Sequence, residues 1–557
     1  MIGQAIWAVR VAVWWVRGLL RRRRRPPERV AFLLESPPPE LDPPRPPVWQ
    51  RFLSRPPLSL QGLGRQFRAV AAEPRVRAVV LHLRPMELSA AQVEGLRELI
   101  AEVRGAGKRV TCWAPGYTAQ TYCVACAADE VLLQPGGLVA PLGLVREHLF
   151  LTDALDRVGV RVDLLQVSPY KTAGDQLTRR GLTPEAREMA DWLADAALTD
   201  RLEAIAAGRT LDEAAARALV DRSPLTDQQA VTGGAVDGLV SEEDLPARMG
   251  GEVRSWGAAR RRLPRPRPVR PGRVVALLRI EGMIVDGRSR RAPFRPPLAP
   301  PLLFQDQCGD LTVVEQARGL AVDRRAGAVV VWVDSPGGSA SASESMAAAL
   351  AMLAARKPVV AVMGPVAASG GYYVTTPAAR VFARSGTITG SIGVLGGKVV
   401  AGGLLDRLLV RRELTLRGEH SAMWGAEAPF TEAERRWMGE FIGRSYGLFL
   451  ERVAAGRRRP VAEIEPLAGG RVWTGRQARE RGLVDELGGL AAGLAAARRL
   501  AGPREDAPLR EARAGRGELA VLPATAPAAV EHALRAVAAL RQAGAWWLCP
   551  LVSEDGG

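Results

Sequence analysis

At 557 residues the chain is long enough for two or more domains with full cores, and 47% apolar with 24% charged residues is the balance of a soluble globular protein. Its net charge of +17 first suggests nucleic acid. The basic residues, however, are nearly all Arg and cluster at 21–25 and 259–270, with no nucleic-acid motif and no basic run interleaved with aromatics, so the charge reads as solvated or membrane-facing.

The five cysteines, Cys112, Cys123, Cys126, Cys308 and Cys549, are an odd count without a disulfide pattern. Cys123 and Cys126 form a single C-x-x-C with neither a second pair nor nearby His, so no metal site is expected, and no cofactor is called for.

Residues 2–20 are mostly apolar but carry Arg10 and Arg17 on one helical face and run into the five-Arg cluster instead of a small-residue cleavage site. Two readings stay open: a short membrane anchor with snorkelling Arg, or an amphipathic helix in the interface with the Arg cluster on anionic lipid. Membrane association is expected either way; the membrane face is not fixed. A Pro-rich stretch follows at 36–58, and a second break, rich in Arg and Pro, at 255–272.

The parts on either side of that second break repeat each other. A shift of 250 residues lays Ala78, Val79, Val110, Pro115, Tyr122, Val131, Gly136 and Gly143 on Ala328, Val329, Val360, Pro365, Tyr372, Val381, Gly386 and Gly393. A shift of 248 lays Thr226, Ala230, Gly234, Val236 and Asp237 on Thr474, Ala478, Gly482, Val484 and Asp485. In the second repeat Ala328–Val333 reads as a strand, Ala340–Ala355 as a helix, Pro358–Met363 as the next strand and Val381–Ala383 as a further short one. Such β-α-β units predict parallel strands and an α/β fold. Thr431 with Glu434 forms a capping box ahead of a long amphipathic helix, and Thr183-Pro184 opens its counterpart. The domains expected are 1–25 (anchor or interfacial helix), 26–254, a linker at 255–272, 273–500, and a tail at 501–557 with one helix over Ala528–Ala543.

The two repeats differ in their small and reactive residues. Gly364-Pro365-Val366-Ala367-Ala368-Ser369-Gly370-Gly371 follows a strand and opens a helix, a seat where a serine meets close backbone approach and free helical N–H groups. In the first repeat Ala119, Gln120 and Thr121 face Ser369, Gly370 and Gly371; Arg84-Pro85-Met86-Glu87-Leu88 faces Asp334-Ser335-Pro336-Gly337-Gly338; and Pro141 faces Ser391. A serine nucleophile needs a proton acceptor. His82, His148, His420 and His532 lie in no motif-like setting. Only four of the 76 basic residues are Lys (Lys108, Lys171, Lys357, Lys398), and a Lys kept where Arg is otherwise preferred has a use that Arg cannot fill, since Arg does not deprotonate. Lys108 and Lys357 precede strands at matching places and read as structural. Lys171, in Ser168-Pro169-Tyr170-Lys171-Thr172-Ala173-Gly174, is the candidate base, with Lys398 as its rival.

Taken together, DSPGG at 334–338, GPVAASGGYY at 364–373, TGSIGV at 389–394, SPYKTAG at 168–174 and the Thr474-Gly475 to Asp485 segment resemble the signal peptide peptidase A (protease IV) family in its long, two-domain form, over roughly residues 29–500. The resemblance implies two tandem Clp protease/crotonase-like α/β domains and a Ser–Lys dyad. Ser369 would be the nucleophile from the second domain and Lys171 the general base from the first. Ser391 would orient the lysine, and Gly338 (or Gly337) with Gly370 would form the oxyanion hole. It further implies cleavage of signal peptides or other apolar peptides at a bacterial inner membrane by a homo-oligomer, tetrameric in the long form. Rival readings are a crotonase-like hydrolase of acyl-thioesters and a non-catalytic membrane scaffold of the same fold.

Overall fold

A computed structural model describes residues 7–16, 25–43, 57–263, 268, 272–291, 306–502, 507–512, 520–521 and 546–548. The chain forms two compact units, residues 1–146 with 194–271 and 554–557, and residues 147–193 with 272–553. The segment holding Lys171 belongs to the first repeat in sequence but to the second unit by contact.

In the first unit, strands β1 (Arg29–Leu34), β2 (Ala78–Leu83), β3 (Arg109–Ala114) and β4 (Glu130–Leu133) form the middle of a parallel sheet, edged by Arg254–Ser255 beside β1 and Gly238–Leu239 beside β4. β2 and β4 are Val/Leu-rich, and β2 to β4 are largely buried, as expected of a sheet with helices on its faces. Helix α1 (Ala90–Gly105) starts at a Ser89–Gln92 capping box, and helix α2 (Ala119–Ala125) at a Thr118–Thr121 box. The stretch expected as a linker begins inside this unit. Trp256, at the start of a short helix, stacks on Phe32 of β1 at 5.3 Å between ring centroids.

The second unit uses helix α3 (Pro184–Arg209) through Leu193 and carries two sheets. The strands that position the site are β5 (Arg161–Gln166), β6 (Val274–Glu281), β7 (Met283–Val285), β8 (Ala326–Ser335), β9 (Gly337–Ser339), β10 (Val359–Ala368), β11 (Ile388–Gly390), β12 (Leu395–Val400), β13 (Val472–Thr474) and β14 (Trp546–Leu548). One sheet runs β13-β11-β10-β8-β6, parallel except for the β11–β13 pair. The other contains the run β7-β9-β14-β12-β5. Helix α4 (Ala340–Ala354), expected from its Ala/Leu/Met composition, buries Met346, Leu350 and Leu353 in the main core. Thr431 and Glu434 form the expected box at the head of helix α6 (Glu432–Arg457), and Thr183 Oγ1 accepts the Ala186 N–H at the head of α3.

One element differs from its sequence reading. The strand expected to stop at Met363 continues through Gly364-Pro365 to Ala368. The extension gains a second partner: Val359–Met363 pair with β8, while in the extension Val366–Ala368 pair with β11 and Ala367 also lies opposite Ser335 of β8, and Asp334 Oδ1 accepts the Val366 N–H at 3.2 Å. Local sequence carries the turn signal of Gly-Pro but not this long-range pairing. No helix among the described residues is long and apolar enough to cross a membrane, and the described part of the N-terminal segment, 7–16, is helical. The helix expected at 528–543 lies outside the described residues; the described parts of the tail are short strands at 509–511, 520–521 and 546–548.

Candidate active site

Ser369 closes β10 and caps helix α5 (Gly370–Tyr373). Its backbone sits at φ 55° and ψ −117°, a region that costs a side-chain-bearing residue on the order of 1–3 kcal/mol. The surroundings hold it there. The Ser369 N–H donates to Gly390 O at 2.8 Å, and Gly370 and Gly371 press against β8 and β9 so closely that a Cβ on Gly371 would stand 2.4 Å from Ser335 O. The Ser369 side chain makes no capping hydrogen bond to its own helix. Instead its Oγ meets Lys171 Nζ at 2.9 Å.

Lys171 is completely buried. Its Nζ also stands 2.9 Å from both Ser391 Oγ and Ser391 O. Ser369 and Ser391 are themselves fully buried, and Ser391 is likewise at positive φ, 51°. One amine is thus held by two hydroxyls and a carbonyl from separate turns of one unit. An amine in this position can take the proton of the serine it touches. The other three lysines do different work. Lys108 donates to Glu73 O, Lys357 to Leu320 O and Asp323 O, and Lys398 to Met423 O with its Nζ 4.5 Å from the Phe430 ring centre. Of Lys171 and its rival Lys398, it is Lys171 that meets the Ser369 hydroxyl; burial pulls the Lys398 ammonium below its usual range, but its hydrogen bond goes to a carbonyl. His420 is exposed, His82 belongs to the first unit, and His532 lies outside the described residues.

The three glycines singled out from sequence gather beside Ser369. A Cβ on Gly370 would stand 3.2 Å from Gly337 Cα and 3.3 Å from Gly338 N, and Gly337 and Gly338 adopt φ of 104° and 153°. The Gly337 N–H donates to Ser335 Oγ at 3.1 Å. This occupies one of the three candidate donors of the oxyanion hole.

Sequence reasoning missed the clamp on the lysine loop. Ser168 Oγ donates to Gly469 O at 2.6 Å, the Gly469 N–H donates to Tyr446 Oη at 3.0 Å, and the Arg471 guanidinium lies 3.8 Å from the centre of the Tyr170 ring. Gly470, at φ 98°, passes so near that a Cβ there would stand 2.5 Å from Lys171 Cα. Tyr170, Trp192 and Trp473 continue the stack, with Trp192 and Trp473 4.8 Å apart. The Gly469-Gly470 doublet just ahead of β13 was the available signal. Close to the lysine, Asp175 is buried with no hydrogen-bond partner for either carboxyl oxygen among the described residues. Burial pushes its carboxyl up to about 6, partly offset by Arg179 and reinforced by Glu185.

A repeated α/β scaffold holding a buried lysine on a strained serine defines a candidate Ser–Lys hydrolase site, and comparison with known proteins gives the family. The model of peptidase family S49 matches residues 102–254 and 351–503, more than half of the chain, and the chain belongs to that family. It is 28% identical over 80% of its length to the chloroplastic serine protease SPPA of Arabidopsis thaliana, covering 66% of that protein. It is 29% identical over 70% of its length to Protease 4 of Salmonella typhi, covering 63% of it. A putative signal peptide peptidase SppA of Enterococcus faecium is 32% identical over 38% of this chain and 60% of its own length. The chain thus spans about two thirds of the length of the first two of these relatives.

Proposed function

We propose that the protein is a serine endopeptidase that works through a Ser369–Lys171 dyad and degrades signal peptides or similar apolar peptides. The observation that carries the reading is the 2.9 Å contact between the buried Lys171 amine and the hydroxyl of the strained Ser369. In this reading the peptide carbonyl is attacked by Ser369 Oγ while Lys171, as the neutral amine that full burial favours, takes the hydroxyl proton. The proton then passes to the leaving amine. Water deacylates the enzyme by the same route in reverse, with Lys171 again accepting and returning a proton. Ser391 orients the amine through its hydroxyl and carbonyl. The oxyanion donors are the N–H groups of Gly370 and Gly338; Gly337, already donating to Ser335, has the lesser part.

Family membership and the names of the relatives support peptide substrates, and the Enterococcus faecium relative's name supports signal peptides among them. The domain reading of 26–254 and 273–500 follows the repeat, with the lysine segment handed from the first repeat to the second unit. Membrane association through the N-terminal segment, a bacterial inner-membrane location and a tetramer are carried by the resemblance.

The test is labelling by a fluorophosphonate, read at Ser369 by peptide mass, together with cleavage of a synthetic signal peptide. Wild type is expected to label and cleave, and Ser369→Ala and Lys171→Ala to do neither. Turnover of acyl-CoA thioesters without peptide cleavage would replace the peptidase reading with the thioester one. Labelling that survives Lys171→Ala would remove the lysine from its role.

A further inference from the structure

An oxyanion hole works only if its N–H groups are fixed before the charge develops, and a small displacement forfeits most of their effect. The backbone that carries them here is short and glycine-rich. β9 is three residues long and meets β7 at Gly338, opposite Ile284. Gly337 and Gly338 sit at φ of 104° and 153°, where glycine pays no steric cost and so is not confined by its own side chain. The fixing comes from side chains on either side of the strand.

The residue after β7 is Asp286, and both of its carboxyl oxygens are engaged. Ser339 Oγ donates to Oδ2 at 2.6 Å and Ser341 Oγ donates to Oδ1 at 2.8 Å, with the two hydroxyl oxygens 2.9 Å apart. Ser339 is the last residue of β9 and the N-cap of α4, only 1% exposed, and its Oγ also accepts the Ala342 N–H at 3.3 Å. One turn on, the fully buried Ser343 donates its hydroxyl to Ser339 O at 2.8 Å. Ser343 Oγ stands 2.6 Å from where a Cβ on Gly370 would lie. A run of hydrogen bonds thus starts at Asp286, passes through the residue next to Gly338 and ends against Gly370. Those two glycines carry the N–H groups assigned above to the oxyanion.

The first repeat shows that a cap serine does not require such a carboxylate. Ser89, which faces Ser339 at the shift of 250, closes an ordinary capping box with Gln92. In the second repeat Ala342 stands where Gln92 does, and the first turn of α4 contains no acidic residue. The carboxylate comes from the end of another strand, and it binds a second serine as well as the cap. A carboxylate at this place favours the helix N-terminus; reaching two hydroxyls, it also ties β7 to the junction of β9 and α4.

We propose that Asp286 is a positioning residue for the oxyanion hole, holding β9 through Ser339 and Ser341 in the placement that aims the Gly338 and Gly370 N–H groups at the substrate carbonyl oxygen. This inference rests on the reading of Ser369 as an acylating nucleophile.

The experiment compares full-length Asp286→Ala and Asp286→Asn with wild type. Asp286 and Ser341 are exposed, so substitution there leaves the core intact. Asp286→Ala is expected to lower kcat for a synthetic signal peptide about 100-fold, with KM within about twofold. Inhibition by a peptide aldehyde, whose adduct with Ser369 places an oxygen where the oxyanion develops, should weaken by about the same 100-fold. Binding of the uncleaved peptide, measured in the Ser369→Ala background, should not change. Asp286→Asn keeps the shape and one acceptor and should recover kcat to within about fivefold of wild type. Hydrogen exchange of the N–H groups in 335–343, read by mass spectrometry, is expected to quicken about tenfold in Asp286→Ala and to stay near wild type in Asp286→Asn. A loss carried by KM, an unchanged aldehyde affinity, or unchanged exchange would each overturn the proposal while leaving the serine reading in place. Wild type that neither labels with fluorophosphonate nor cleaves would overturn the reading of the site and this assignment with it.

Discussion

The turn after the third strand occurs twice in this protein and does two different things. In the first unit Thr118 is an ordinary helix cap, at φ −78° and ψ 172°, with its hydroxyl accepting the Thr121 N–H and Thr121 answering to its backbone. In the second unit the cap falls one residue later by the repeat, at Ser369, in a strained conformation with no capping bond and its hydroxyl on Lys171. Around these turns the scaffold is the same. Tyr122 donates to Ala235 O and Tyr372 to Leu483 O. Asp237 accepts the Val131 N–H and binds Arg209, just as Asp485 accepts the Val381 N–H and binds Arg457. Lys108 and Lys357 each cover carbonyls at the end of a helix. Duplication kept the interactions that hold the fold; the local chemistry of one turn was free to diverge.

The comparison is broken most sharply at the turn itself. Ser369→Ala and Lys171→Ala should each lower kcat/KM for a signal peptide by at least about 10⁴-fold, whereas Thr118→Ala should leave it unchanged. Adding Ala119→Ser to the Ser369→Ala protein should restore no fluorophosphonate labelling, because a serine alone is not a site; labelling at residue 119 would mean that the first unit supplies its own base.

The next largest effect is expected at the lysine clamp. Gly470→Ala puts a methyl group against the Lys171 backbone at a positive φ that only glycine adopts easily. A displacement of the amine by about 1 Å should lower kcat roughly 100-fold while leaving KM nearly unchanged, as steady-state kinetics would show. A loss carried entirely by KM would argue that the clamp serves binding.

The shared scaffold makes a more even prediction. Asp237→Ala and Asp485→Ala each leave a largely buried guanidinium and a strand N–H without its partner. Each should cost about 2 kcal/mol in denaturant unfolding, discounted for partial exposure of the carboxylates. Only the Asp485 variant should lower activity at a temperature where both stay folded.

An effect confined to one side of the pH scale lies at Asp175. Its carboxyl, raised to about 6 from an ordinary 3.8, holds its proton more tightly in the folded chain than in the unfolded one. Its contribution to stability is therefore full at acid pH and is lost as pH rises through about 6. Asp175→Asn should raise stability by about 2 kcal/mol at pH 8 and by almost nothing at pH 3, measured by urea unfolding at both. An equal gain at both values would show that the gain does not come from ionisation and that the carboxyl is not raised in the folded chain.

The sequence alone determined the repeat, the parallel α/β class and the pairing of Ser369 with Lys171 as candidates. All three are properties of residue type and spacing: period and β-branching mark the strands, glycine runs mark close backbone approach, and a Lys among so many Arg marks an amine whose proton matters. The tertiary structure decided the rest. Continuation of β10 past Gly364-Pro365 depends on a pairing with β11 some twenty residues on. Transfer of the lysine segment to the second unit, the Gly470 contact with Lys171 and the pairing of 546–548 with β9 join residues far apart in the chain. Local propensity reaches a few residues along the backbone, while these contacts are fixed by which edges and faces the folded chain leaves open to one another.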